Sequence, residues 1–128
     1  MILGIGLDLC QIERISKAIR NEHFLERIYT PAEQERIRNA SDVRRGEIAA
    51  GLFAGKEAVS KALGTGFSGF CFSHIEIMPD KNGKPLCRLE GGAEEIFHRL
   101  GGESIFISIT HESGMAAATA IIEGGIAK

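Results

Sequence analysis

Apolar and small residues alternate from the first turn of the chain. Ile5, Leu7 and Leu9 fall on one side, Gly4, Gly6 and Asp8 on the other. That period of two predicts a strand over residues 2–9, buried through its apolar set. The two glycines leave open space beside Asp8, where a ligand would find room to approach. From residue 12 the period becomes helical: Ile12, Ile15 and Ile19 form a stripe, Arg14, Lys17 and Arg20 lie off it, and Phe24, Leu25 and Ile28 extend it. Thr30-Pro31-Ala32-Glu33 has the form of a capping box with proline at the first helical position, which starts a helix at Pro31 ending near 39–42. The longest run, 43–63, carries Ile48, Leu52, Val59 and Leu63 as its stripe, widened by Phe53 and Ala62, and Gly64 supplies a left-handed stop.

After a glycine-rich loop at 65–69, residues 74–78 and 86–89 read as strands around an Asn82-Gly83 hairpin signal. A short helix at 93–100 is bracketed by paired glycines. Two last strands, 104–110 and 115–122, join at His111-Glu112-Ser113-Gly114. Strands divided by helices, with hairpins late in the chain, predict an α+β fold: a mainly antiparallel sheet packed against a long central helix and shorter helices. No repeat or long linker interrupts the 128 residues, so a single domain over 1–128 is expected.

Composition narrows the function. With 44% hydrophobic and 25% charged residues, the chain is of ordinary globular type. A net charge of −2 provides no basic field for nucleic acid. No stretch approaches the ~18 apolar residues of a membrane span, and no charged-then-apolar leader opens the chain. Cys10, Cys71 and Cys87 are odd in number and too scattered for a CxxC zinc site, which makes a reducing, cytoplasmic setting the default. Arg14, Lys17, Arg20, Arg27, Arg36, Arg38, Arg44 and Arg45 crowd the first third, as suits either an acidic partner or solvated helix faces.

Three residues carry candidate chemistry, each with a plainer reading beside it. Asp8 either caps the helix that follows or faces a ligand. Glu57 and Lys61, four apart on one helix side, form either an ordinary i,i+4 pair or a grip on a metal and a phosphate. Taken together, two carboxylates and a lysine fit Mg²⁺, which takes one or two carboxylates and fills its octahedron with water and phosphate oxygens. His111 stands at a sheet rim, either as a surface-turn histidine or as part of a site. His23, His74 and His98 read as structural. No GxGxxG, GxxxxGK or GxSxG motif is present, so neither a Rossmann or P-loop phosphate site nor a nucleophile elbow is indicated.

Five stretches, in order along nearly the whole chain, resemble the holo-[acyl-carrier-protein] synthases, small members of the 4'-phosphopantetheinyl transferases. They are Gly4-Ile5-Gly6-Leu7-Asp8 with Glu13-Arg14-Ile15; Thr30-Pro31-Ala32-Glu33; the run from Phe53 to Gly66; Asn82-Gly83-Lys84-Pro85; and Ser108-Ile109-Thr110-His111 with the alanine-rich strand after it. The resemblance implies transfer of 4'-phosphopantetheine from coenzyme A to a serine of apo-acyl carrier protein in fatty acid biosynthesis. It implies Mg²⁺ on Asp8 and Glu57, Lys61 on a phosphate, and His111 at the nucleotide end. It also implies a homotrimer with sites between subunits, where Lys84 and Pro85 of a neighbour line the adenine pocket. Arg14, Lys17, Arg20 and Phe24 would dock the acidic carrier. Two positions depart from the family pattern: Leu52, where arginine linked to the 3'-phosphate is common, and Thr110, where serine is common. The phosphate grip is then expected to fall on Lys56, Lys84 or His111. The rival readings are a non-catalytic oligomeric module that binds an acidic protein, and a magnesium-dependent nucleotide hydrolase.

Overall fold

The computed structural model describes residues 1–64 and 69–125, so the expected loop at 65–69 lies outside the described residues apart from Gly69. In chain order the elements are β1 (Ile2–Gln11), α1 (Ile12–Ala18), α2 (Glu22–Ile28), α3 (Pro31–Arg38), α4 (Asp42–Leu63), a 3-10 turn (Phe72–His74), β2 (Ile75–Pro79), β3 (Pro85–Leu89), α5 (Gly91–Arg99), β4 (Gly102–Glu112) and β5 (Met115–Gly124). An antiparallel sheet of order β1-β5-β4 and a separate β2-β3 hairpin give the expected α+β fold. The expected helix from 12 to 28 breaks in two, because the Asn21 side chain accepts the amide of Phe24 and starts α2 afresh.

α4 is the centre of the fold, and small residues let it press onto the sheet. Ala50, Ala54, Ala58 and Ala62 recur every four residues along it, while β5 turns Ala116, Ala118 and Ala120 inward; all of these are buried. β1 runs antiparallel across α4. The Cys10 thiol donates to the carbonyl of Ala50, and a Cβ on Gly6 or Gly4 would run into the carbonyl oxygens of Ala58 and Ala62. The lengths match: six strand residues span about 20 Å, and twelve helix residues about 18 Å.

This packing corrects two expectations about β1. The glycines do not open a ligand space; the α4 backbone fills it. The apolar set is also not buried: Ile5, Leu7 and Leu9 are 66%, 67% and 62% exposed, because the glycine face is the one turned to the core. Ile5 aligns with Ile121, which aligns with exposed Phe106, so the outer sheet face is apolar across all three strands.

A second tie crosses the core. Glu33, in the first turn of α3, closes the predicted capping box with Thr30. Its carboxylate also accepts the amide of Ile77 on β2 at 2.8 Å and pairs with the Lys56 ammonium at 2.7 Å, both side chains fully buried. Lys56 further donates to the carbonyls of Phe72 and Ile75. Lys56 therefore holds no coenzyme phosphate. It is a structural cation joining α3, α4 and β2, and burial pulls its pKa down against the opposing pull of Glu33. Removing one member of such a pair leaves an uncompensated buried charge. Lys56→Ala should cost about 3–5 kcal/mol of folding stability, read as a lowered midpoint in chemical denaturation; a loss below ~1 kcal/mol would mean the pair behaves like a surface contact.

Candidate active site

Asp8 points inward from β1 towards α4, its side chain 16% exposed. It does not cap α1. Gln11 occupies the cap without a side-chain bond, and Ile12 N–H donates instead to Gly114 in the β4–β5 turn. Lys61, one turn beyond Glu57, reaches from α4 to β1. Its ammonium lies 3.4 Å from Asp8 Oδ1 and donates to the Leu7 carbonyl at 3.0 Å. Burial raises the pKa of the Glu57 carboxyl and the charge of Asp8 raises it further, with Lys61 and Arg14 offsetting part of this. The Arg14 guanidinium lies 6.0 Å from the centre of the Phe53 ring, which itself neighbours Phe24 and Phe72. The structure thus brings Asp8, Glu57 and Lys61 into one corner, with Arg14 at its edge.

This corner suits magnesium. Burial and the neighbouring charge of Asp8 raise the proton affinity of Glu57, and a cation held between the two carboxylates would offset that repulsion. Among the described residues no group of three or more His, Cys, Asp or Glu side chains gathers as a metal cage. Two carboxylates with room for water and phosphate oxygens match the way Mg²⁺ is usually held.

A second centre lies near the other end of α4. A cavity of about 190 Å³ is walled by Leu52, Ile77, Pro85 and Ile109, with Arg36, Arg44, Glu47 and His111 among its polar lining. Glu47 serves two neighbours: Arg44 Nη1 at 2.9 Å and His111 Nδ1 at 3.9 Å. His111 lies one pair before the end of β4, opposite Ala116, and so belongs to the strand rather than to the turn. The turn itself is only Ser113-Gly114, both left-handed, as two-residue hairpins require. Lys84 stands exposed between Gly83 and Pro85, which do line the cavity. Sequence reasoning counted Arg36 and Arg44 only within a diffuse basic cluster. The available signal was spacing: Arg36 follows the anchored Glu33 by three residues, and Arg44 precedes Glu47 by three.

The residues expected to dock a carrier divide between two places. Arg14 and Phe24 close on Phe53 beside the carboxylate corner. Lys17 and Arg20 border a separate groove with Asp42 and Val43, where Lys17 pairs with Glu13 at 3.3 Å. From Glu47 to Glu57 the helix rises about 15 Å, so the cavity and the corner are distinct sites within one chain.

Comparison with known proteins gives this geometry a family. The chain is 46% identical over 124 residues to a holo-[acyl-carrier-protein] synthase of Clostridium novyi, covering 96% of this chain and 88% of that protein. It superposes on the Bacillus anthracis holo-(acyl-carrier-protein) synthase, solved with CoA (3',5'-ADP), at a TM-score of 0.81 and 35% identity, covering 98% and 99% of the two chains. The Helicobacter pylori enzyme in complex with coenzyme A aligns at a TM-score of 0.80 and 32% identity, covering 93% and 99%. The model of the 4'-phosphopantetheinyl transferase superfamily matches residues 4–120, which include most of β1 with Asp8, all of α4 and the His111 strand. The chain belongs to that superfamily.

Proposed function

We propose that the protein transfers 4'-phosphopantetheine from coenzyme A to a serine of apo-acyl carrier protein and releases adenosine 3',5'-bisphosphate. The observation that carries this reading is the Asp8–Glu57–Lys61 corner, two carboxylates and an ammonium drawn together from β1 and α4. Asp8 and Glu57 would hold magnesium, which supplies positive charge to the pyrophosphate. In the reaction the serine oxygen bonds to the β-phosphorus, the bond to the bridging oxygen breaks, and the bisphosphate leaves with the added negative charge. Lys61 is half-exposed and, among the described residues, tethered to Asp8 and the Leu7 carbonyl. It can swing to the leaving oxygens and offset that charge. The serine proton would go to a base at this corner, Glu57 or a water beside it.

The nucleotide end of coenzyme A fits the cavity beside His111, where an apolar slot meets guanidinium groups. The exposed face of Ile5, Leu7, Leu9 and Phe106 calls for a partner surface, and we assign it to the contact between copies in a homotrimer. Such packing brings Lys84 and Pro85 of one copy towards the next and unites a cavity with a neighbour's corner. Arg14, Lys17 and Arg20, with Phe24, offer the acidic carrier protein a basic, partly aromatic landing. Three free thiols accord with a cytoplasmic location, and no described helix is long and apolar enough to cross a membrane.

The direct test is incubation with coenzyme A, Mg²⁺ and apo-carrier protein. A mass gain of one phosphopantetheine on the carrier is expected; hydrolysis of coenzyme A without it would favour a nucleotide hydrolase. Asp8→Ala should abolish most transfer, and Lys61→Ala should lower kcat by ~100-fold or more, as for a lost charged contact to the transition state. Near-normal turnover at limiting Mg²⁺ in either variant would refute the corner.

The Glu57 shift gives a second prediction. A carboxyl whose folded pKa lies above its unfolded value costs stability once ionised, and that cost vanishes where both states are protonated. Glu57→Gln should therefore raise the melting temperature of the metal-free protein at pH 8 and lose that advantage below about pH 4, while transfer activity falls. A lower melting temperature at pH 8 would reverse the sign argued here.

For the interface, Leu7→Glu should convert the assembly to monomers in analytical ultracentrifugation and remove activity with it. An unchanged mass would exclude this face as the contact.

A further inference from the structure

The α4 cavity has a charge imbalance that its own residues leave uncorrected. Arg44 and His111 share the one carboxylate of Glu47. Arg36 enters from α3 and has no ion-pair or hydrogen-bond partner for its guanidinium among the described residues. Burial lowers the pKa of Arg36 and the like charge of Arg44 lowers it further, with the Glu33 carboxylate, already engaged by Lys56, offsetting part of this. Two guanidinium groups thus face one space with one carboxylate between them. The other lining residues, among them Ile48, Leu52, Ile77 and Ile109, bring no further charged side chain.

An arginine held half-buried without a partner is a cost unless an anion completes it. Its position is also fixed in advance. Glu33, one turn earlier on α3, is bound at once by the Thr30 amide, the Ile77 amide and Lys56, so α3 can neither roll nor slide against α4. A guanidinium held in place by its helix, opposite a second one, suits a phosphate monoester, which carries close to two charges at neutral pH and accepts paired N–H donors.

On the reading of the protein as a coenzyme A-dependent transferase, we infer that Arg36 is a specificity-determining residue, the α3-borne guanidinium that selects the 3'-phosphorylated nucleotide of coenzyme A over the dephosphorylated form. Arg44 and Arg36 grip the monoester from two helices, and the apolar wall at Leu52 takes the base side of the nucleotide. Selection then depends on a residue of α3, whereas Arg44 and Glu47 sit on α4.

The test compares two ligands on each protein sample. Wild type, Arg36→Gln and Arg36→Lys are titrated calorimetrically with adenosine 3',5'-bisphosphate and with adenosine 5'-monophosphate, and assayed for transfer from coenzyme A and from dephospho-coenzyme A to apo-carrier protein. Each ratio is internal to one sample, so a partly unfolded variant reports the same preference as a fully folded one. Arg36→Gln should shrink the preference for the 3'-phosphorylated member about tenfold, the worth of one charge-assisted hydrogen bond, mainly through KM. Arg36→Lys should retain part of it, and added salt should erode the preference more in wild type than in Arg36→Gln. A preference within twofold of wild type in Arg36→Gln, or equal weakening towards both ligands, overturns the inference. If wild type transfers nothing from coenzyme A, the transferase reading fails by itself, and the calorimetric ratio still decides the role of Arg36.

Discussion

The close contact between β1 and α4 sets the rest of the molecule. Backbone can meet backbone there only because β1 places glycine at 4 and 6 and α4 places alanine at every fourth position facing it. A single Cβ at either glycine would collide with main-chain oxygen, which cannot be moved aside as a side-chain tip can. Two consequences follow from the strand's period of two. The residue after the glycines on the same face, Asp8, is carried inward to Lys61 and the neighbourhood of Glu57. The residues between them, Ile5, Leu7 and Leu9, are forced outward onto an open sheet face. The functional corner and the apolar outer surface are thus two sides of one packing constraint.

The Glu33–Lys56 pair works at right angles to it. A lone buried lysine would be prohibitive, but three acceptors surround this one, and the Glu33 carboxylate is itself fully bonded. An ion pair of this kind adds little net stability over a well-packed apolar substitute. Its value lies in direction: only one rotation of α4 brings Lys56 to Glu33. Since one residue turns a helix by about 100°, that same rotation sends Glu57 to the cleft. Neighbours in sequence therefore separate into a core strut and a site residue.

Local signals were legible in the chain and long-range ones were not. The Thr30–Glu33 box, the Gly64 stop and the turn at Asn82-Gly83 were readable because each is decided within a few residues; Gly64 and Gly83 both take the left-handed conformation. The clustering of Asp8, Glu57 and Lys61 was anticipated through helical spacing and family resemblance. The orientation of β1 was not, because alternation reveals that two faces differ but not which one meets the core, and large apolar residues bias the choice inward. Lys56 was misread for a related reason: a lysine on a helix is normally solvated, and its partner lies 23 positions away on another helix. The separation of α1 from α2 was missed because the apolar stripe continues across the Asn21 cap.

The overall charge of −2 conceals the electrostatics that matter. One end of α4 holds two carboxylates, of which Asp8 raises the proton affinity of Glu57, and the other faces two guanidinium groups, of which Arg44 alone pairs with Glu47. Each centre is unbalanced, with opposite sign, and about 15 Å of helix rise separates them, which limits how far either can neutralise the other through solvent at physiological salt. A molecule with a metal-binding pyrophosphate at one point and a phosphate monoester at another answers both imbalances at once, whether they come from one chain or from two copies meeting at the apolar face. Either centre alone would accept many anions or cations. On the proposed reading, recognition of one particular nucleotide would come from requiring both, at a spacing that α4 and its two ties hold fixed.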